Sequence, residues 1–387
     1  MFSERVANLK GSIIREILVT AQQPGMISFA GGLPSTECLP ELDFTGIPKM
    51  LSQYGSSEGE TDLREWIAKN ARENLGIDCT YEQVLIVAGS QQALDLMTKL
   101  YVDHNAPVLT EGPTFLAALQ IVKFFGARVV EVEQDAAGLS AEKLKQAILE
   151  NHPRFAYLIP SYQNPSGVCY TEENRKEIAA VLSETKTPIY EDDPYRDLCF
   201  DGETPKPIVT HLDKDTPFVY AGSFSKILSP GLRVGYLISS PELFPYLLKI
   251  KQANDLHVNR AAQWFVHKEV SKPSFPDHLK NLQSSYREKR DNMQSVLEMY
   301  FSDLATWTQP SGGLFFWLKL KKPIDTLALL KEAIARQVAF VPGEPFFDDG
   351  EAHKGYIRLN FSNAEIENIE KGLKILAELI KEKFAEI

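Results

Sequence analysis

The sequence predicts an α/β fold, a mostly parallel seven-stranded sheet covered on both faces by helices, followed by a smaller α+β unit. Three observations carry this expectation. Short β-rich runs alternate with helical patterns through the middle of the chain, which is the signature of a parallel sheet whose crossovers are helices. Between the first two runs, Ala93, Leu94, Met97, Leu100 and Tyr101 recur at helical spacing. Past Pro241 the character changes to a long polar helical stretch through 286–290 and shorter strands at Gly313 to Leu320 and Tyr356 to Phe361.

Taken in order, the runs are Val84 to Ala88, Pro107 to Thr110, Arg128 to Val132, Phe155 to Ile159, Pro188 to Glu191, Phe218 to Ala221 and Val234 to Ser239. Residues 1–45 fit neither a βα unit nor a linker. Ile13, Ile14, Ile17 and Leu18 make an apolar helical stripe ahead of the turn-rich 31–34, so this segment is assigned to the small unit or to a lid. The expected division is an arm at 1–45, a large domain at 46–275 and a small C-terminal domain at 276–387. No internal repeat or low-complexity segment interrupts the chain.

A chain of 387 residues with 44% apolar and 24% charged residues has the balance of a globular enzyme-sized protein. No apolar stretch approaches the roughly 18 to 20 residues a bilayer span needs, so no membrane role is expected. Lys+Arg total 41 against Asp+Glu 52, a net charge of -11, which opposes binding to a phosphate backbone. Cys38, Cys79, Cys169 and Cys199 form no C-x-x-C pair and read as reduced thiols rather than as a zinc or disulfide framework. The early charges at Glu4, Arg5, Lys10, Arg15 and Glu16 leave no apolar core for a signal peptide. A cytoplasmic location is expected.

Four clusters carry chemistry. In Gly222-Ser223-Phe224-Ser225-Lys226 and on to Arg233, a lone lysine sits among hydroxyls and glycines directly after a strand. That setting suits an amine that condenses with a carbonyl, with Arg233, Ser223 and Ser225 as phosphate donors. It also suits a phosphate loop of another kind, although the Walker A spacing is missing. Gly89-Ser90-Gln91-Gln92 lies between a strand and a helix, an anion site by geometry and equally an ordinary βα turn. Tyr190-Glu191-Asp192-Asp193-Pro194-Tyr195 places acids at a strand end, where open α/β sheets bind ligands. With no histidine pair nearby, a carboxylate facing a cofactor nitrogen fits that cluster better than a metal centre. Tyr162-Gln163-Asn164-Pro165-Ser166-Gly167 follows another strand and reads by itself as a turn.

In this order, and with Asp192 three residues before Tyr195, the clusters resemble the fold type I pyridoxal-phosphate aminotransferases. The resemblance spans essentially the whole chain. It is nearest to the branch of 2-aminoadipate and kynurenine aminotransferases and of MocR-type regulators, which look similar at 29–34, 338–343 and 358–362.

The resemblance implies that Lys226 carries the cofactor covalently and then moves the proton at the reacting carbon. It implies that Asp192 pairs with the pyridine nitrogen and that Asn164 and Tyr195 donate to the cofactor's phenolate oxygen. Ser90, Gln91, Ser223, Ser225 and Arg233 would bind the phosphate. Phe115 would stack on the ring, where relatives often have tyrosine. Asn164-Pro165 is expected to be cis, an uncommon bond in folded chains.

Arg358 would clamp the substrate α-carboxylate, with Asn164 and Gly32 beside it. Tyr54 would reach the phosphate of a neighbouring subunit in a two-fold homodimer. Arg15, on a helix over Ser12 to Gln22, would meet the distal group of the substrate as part of a lid. The implied function moves the amino group of a 2-aminoadipate-like, aromatic or branched L-amino acid to a 2-oxo acid such as 2-oxoglutarate, in a ping-pong cycle. A β-lyase or decarboxylase would use the same residues. A MocR-like regulatory module is a further alternative, which the acidic charge and the early start of the motifs at 29–34 disfavour.

Overall fold

The computed structural model describes residues 2–7 and 23–387. Its strands are β1 (Ile27–Ser28), β2 (Val84–Val87), β3 (Pro107–Gly112), β4 (Arg128–Asp135), β5 (Gly138–Leu139), β6 (Ala156–Leu158), β7 (Ile189–Asp192), β8 (Phe218–Ser223), β9 (Gly235–Ser239), β10 (Ala305–Trp307), β11 (Phe315–Leu320), β12 (Val338–Ala339), β13 (Val341–Pro342) and β14 (Tyr356–Asn360).

Among the described residues the large sheet runs β2-β9-β8-β7-β6-β3-β4-β5. From β8 to β4 every pairing is parallel, and β9 lies antiparallel between β2 and β8. The seven sequence-predicted runs all fall on strands of this sheet. The eighth strand, β5, has two residues and pairs antiparallel with the end of β4. Two residues are too few for any hydrophobic period, which is why sequence patterning does not mark it.

Side chains of a strand alternate between faces, and β2 shows the result. Leu85 and Val87 enter one apolar cluster with Ala93, Leu94 and Met97 of the helix Ser90–Tyr101. Val84 and Ile86 enter the other, larger cluster. Both sheet faces are therefore covered, and the strand ends become the natural place for polar side chains.

The C-terminal part builds a four-stranded antiparallel sheet, β10-β11-β14-β13. The helices Phe275–Phe301 and Ile366–Glu386 pack against one another. β1 pairs in parallel with β12, Ile27 opposite Val338, so the segment that precedes the glycine pair Gly31-Gly32 is tied to this C-terminal part. The lid expectation for Ser12 to Gln22, with Arg15, lies outside the described residues.

Gly372, buried in the helix Ile366–Glu386, sits where that helix crosses β1. A Cβ built there would lie 2.7 Å from Ile27 Cγ2 and 2.8 Å from the Phe29 ring. Gly372→Ala would favour an isolated helix by about 1 kcal/mol. The crowding should outweigh this by roughly 1–3 kcal/mol and lower the melting temperature. An unchanged or raised melting temperature would contradict so close a contact.

Candidate active site

The loops that follow β2, β6, β7 and β8 open into a cavity of about 410 Å³, closed on the far side by the Gly31-Gly32 turn and Arg358. Each loop contributes one kind of group, so the cavity has distinct ends.

At one end lies an anion site. The helix Ser90–Tyr101 begins there, with Gly89 as its N-cap in the left-handed region at φ 82. The conformation favours glycine, and a Cβ on Gly89, 2.5 Å from Arg233 Nη2, would push the guanidinium from its place. Arg233 itself holds a left-handed conformation, φ 53 and ψ 48, after the turn Pro230–Leu232. For a non-glycine residue this costs on the order of 1–3 kcal/mol, and it aims the guanidinium at the helix start. Its Nη1 donates to Ser225 Oγ at 3.3 Å and its Nη2 to the Ala88 carbonyl at 3.1 Å. Ser90, Gln91, Ser223 and Ser225 line the same end. A helix N-terminus, three hydroxyls and a guanidinium fit a phosphate.

The middle of the cavity holds the titrating groups. Strand period explains how β7 sorts its acids. Glu191 turns to one face, where it accepts from the backbone N–H groups of Ile208 and Val209. Asp193, just past the strand end, accepts from Tyr220 and Arg196. Asp192 turns the other way, into the cavity. Tyr157 Oη donates to Asp192 Oδ2 at 2.8 Å, while Oδ1 accepts no hydrogen bond among the described residues.

Burial pushes Asp192 up to about 7, with the bond from Tyr157 pulling the other way. Lys226 is moved in the complementary sense: burial lowers it to about 8, the charges of Arg358 and Arg233 add to this, and Asp192 opposes it. Its Nζ donates to the Gly32 carbonyl at 2.6 Å and lies 5.8 Å from the centre of the Tyr195 ring. Asn164 Nδ2 donates to Tyr195 Oη at 3.3 Å, and the Asn164–Pro165 bond is cis, as the resemblance implied. Phe115 borders the cavity as the N-cap of the helix Leu116–Phe124.

Arg358 forms the other end. It lies on β14 between Trp317 of β11 and Val341 of β13 and is 3% exposed. Its Nη1 donates to Asn164 Oδ1 and its Nη2 to the Gly31 carbonyl, each at 2.7 Å. The guanidinium carbon lies 4.3 Å from the Phe315 ring centre and 5.2 Å from that of Phe346. Among the described residues no carboxylate hydrogen-bonds to it, and its Nε has no partner. A buried cation so placed suits an incoming carboxylate.

Pyridoxal phosphate fits these residues. The orphaned Oδ1 of Asp192 needs a donor, which a protonated ring nitrogen supplies. The anion site and the amine of Lys226 line the same cavity. The structure thus brings together every sequence-predicted site residue among those described except Tyr54. Tyr54 is 77% exposed and points away, its ring centre 5.9 Å from that of His257. Arg15 lies outside the described residues. Sequence reasoning missed Tyr157, whose only signal is a hydroxyl inside an apolar strand, and missed Leu116, Ala117 and Gln120, which line the cavity from one helix turn.

Between its ordinary value of 3.8 and about 7, Asp192 keeps a proton in the folded chain that the unfolded chain has released. In cofactor-free protein it therefore costs stability increasingly as pH rises through that window, by up to about 1.4 kcal/mol per pH unit. Asp192→Asn should flatten the stability curve there, and Tyr157→Phe should carry the fall to higher pH. Thermal unfolding from pH 4 to 8 checks both, and an unaltered slope in Asp192→Asn would refute the burial argument.

The comparisons with known proteins agree with this geometry. The family model described as aminotransferase class I and II matches residues 26–376. The chain is 36% identical to an aromatic-amino-acid aminotransferase of Thermococcus litoralis, over 99% of this chain and 94% of that one. It is 36% identical to a 2-aminoadipate transaminase of Thermus thermophilus, over 98% and 96%. The crystal structure of an α-aminoadipate aminotransferase from Thermus thermophilus, complexed with N-(5′-phosphopyridoxyl)-L-leucine, superimposes with a TM-score of 0.91 at 35% identity, covering 100% of this chain and 98% of that one. The chain belongs to the class I and II aminotransferase family, with the fold type I architecture, and is a pyridoxal-phosphate-dependent aminotransferase.

Proposed function

We propose that this enzyme moves the α-amino group of a 2-aminoadipate-like, aromatic or branched L-amino acid to a 2-oxo acid such as 2-oxoglutarate. The observation that carries the reading is Arg358, a buried guanidinium with no carboxylate among its hydrogen-bond partners, lining the same cavity as Lys226 and Asp192. The substrate range follows the relatives, one named for aromatic amino acids and one for 2-aminoadipate, and the leucine conjugate in a structural neighbour.

Pyridoxal phosphate, when bound, supplies the electron sink for the substrate α-carbon. The chain supplies the rest. Arg358 binds the α-carboxylate, with Asn164 Oδ1 and the Gly31 carbonyl fixing its two Nη groups so that little ordering remains to be done on binding. Lys226 Nζ, lowered to about 8, has an appreciable neutral fraction near pH 7 and carries the proton removed from the α-carbon. Asp192 holds positive charge at the ring nitrogen, Asn164 and Tyr195 donate at the ring edge, and Phe115 covers a ring face. Ser90, Gln91, Ser223, Ser225 and Arg233 hold the phosphate.

We also assign the active form as a homodimer in the cytoplasm. An outward-facing apolar surface runs through Leu42, Phe44, Ile47, Met50 and Tyr54, and Arg260 Nη1 braces its end through the carbonyls of Met50, Gln53 and Tyr54. In that arrangement Tyr54 serves the partner's phosphate. The four cysteines are free, in keeping with a reducing compartment, and no helix among the described residues is long and apolar enough to cross a membrane.

Half-reactions with a panel of amino donors test the function, and borohydride reduction should fix the cofactor on Lys226 alone. Lys226→Ala should retain the cofactor and lose nearly all turnover. Arg358→Ala should raise KM for every donor by roughly tenfold or more, the scale of about 1.4 kcal/mol for one lost charged contact. Arg15→Ala should raise KM for 2-aminoadipate, glutamate and 2-oxoglutarate and spare leucine. A donor panel without turnover, or labelling of another lysine, would overturn the assignment.

A further inference from the structure

Glu111, the penultimate residue of β3, is completely buried and takes no part in the reading above. Its carboxylate meets three donors. Oε1 accepts from the Ile159 backbone N–H at 2.9 Å and from Tyr170 Oη at 2.6 Å, and Oε2 accepts from Gln163 Nε2 at 2.9 Å. No cation is among these partners; burial pushes the carboxyl up to about 7 while the three hydrogen bonds pull it back, so its charged form is held by hydrogen bonds alone.

Gln163 explains what the carboxylate achieves. Its Nε2 also donates to the Pro113 carbonyl at 2.6 Å, and its Oε1 accepts from both Ser166 N and Ser166 Oγ at 2.8 Å. The side-chain amide thus joins two segments: Pro113 stands two residues before Phe115, and Ser166 two residues after Asn164. An amide has a donor end and an acceptor end of nearly equal shape, and here the Pro113 carbonyl and the Ser166 N–H set which is which. Glu111, an acceptor only when ionised, adds a second acceptor at the donor end and holds Nε2 in the orientation that faces Pro113.

We propose that Glu111, acting through Gln163, is the positioning residue that sets the Phe115 segment against Asn164. The proposal rests on the aminotransferase reading of the cavity, in which Phe115 covers the ring face and Asn164 donates at the ring edge. In Glu111→Gln the amide oxygen can keep Ile159 and Tyr170, which leaves its NH2 against the NH2 of Gln163, two donors face to face. The bond between the two side chains is then lost, Gln163 is held by Pro113 and Ser166 alone, and the setting of Asn164 loosens.

The test uses holoenzyme of the unmodified chain, Glu111→Gln, Gln163→Ala and the double variant. The visible absorbance of the lysine-bound cofactor is titrated from pH 5 to 10, with melting temperature, KM and kcat measured alongside. A weakened donor at the ring edge should raise the titration midpoint by at least about 0.3 unit in each single variant, a twofold change in the protonation constant. Turnover should fall about tenfold with KM within roughly threefold, and the double variant should be no worse than the worse single, as expected for one shared path.

A smaller midpoint shift in both singles, whatever the melting temperature does, would overturn the proposal, as would shifts that add in the double. If Glu111→Gln yields no folded holoenzyme, the Gln163→Ala midpoint decides by the same threshold. Failure of the cavity reading is recognised separately, since the unmodified protein would then show no pH-dependent visible band or would be labelled away from Lys226.

Discussion

Arg358 is the joint on which the catalytic cavity depends. Its guanidinium is reached by three parts of the chain that are remote in sequence: β14, which carries it, the turn after β6 that presents Asn164, and the Gly31 carbonyl. A buried cation without a carboxylate is unfavourable, and burial lowers even this arginine to about 10. The faces of Phe315 and Phe346 and two short hydrogen bonds offset part of that cost. What is left over favours a substrate carboxylate at this guanidinium.

The same logic runs through the rest of the cavity. Lys226 and Asp192 are each pushed by burial toward their neutral forms and are drawn back toward charge by one another. Two ionisable groups held close to neutrality in this way can take or give protons with little driving force. Backbone conformation is spent to keep them in place. Arg233 and Tyr162 occupy the left-handed region, one beside the anion site and one beside the turn that bears Asn164. The scaffold that tolerates this is a sheet buried on both faces, whose strand ends do not shift when a loop is strained.

Much of this was legible in the sequence. Seven runs, each bounded by turn residues, mark seven of the eight strands of the large sheet. The lone lysine among hydroxyls marks Lys226, and the family resemblance, in which the ring-facing acid stands three residues before the tyrosine, picks out Asp192 among three neighbouring acids. The strand period gives the physical reason for that choice, since only every second side chain faces the cavity. Tyr157, Glu111 and Gln163 left no comparable trace. A tyrosine or glutamate within a β-rich run looks the same whether its polar atoms meet a partner or solvent.

The sequence by itself determined the order of elements, the strand ends at which chemistry collects and the residue types brought there, because periodicity and turn chemistry are local properties. Only the tertiary structure decided which of those residues share a space. Asn164 and Arg358 meet at 2.7 Å and Lys226 meets the Gly32 carbonyl at 2.6 Å, contacts between residues nearly two hundred positions apart. Tyr54, expected to reach the phosphate of a neighbouring subunit, faces outward from its own chain. Such pairings are set by how the two sheets and their loops pack, and by which buried donors and acceptors must find one another away from water. No local pattern encodes that global condition.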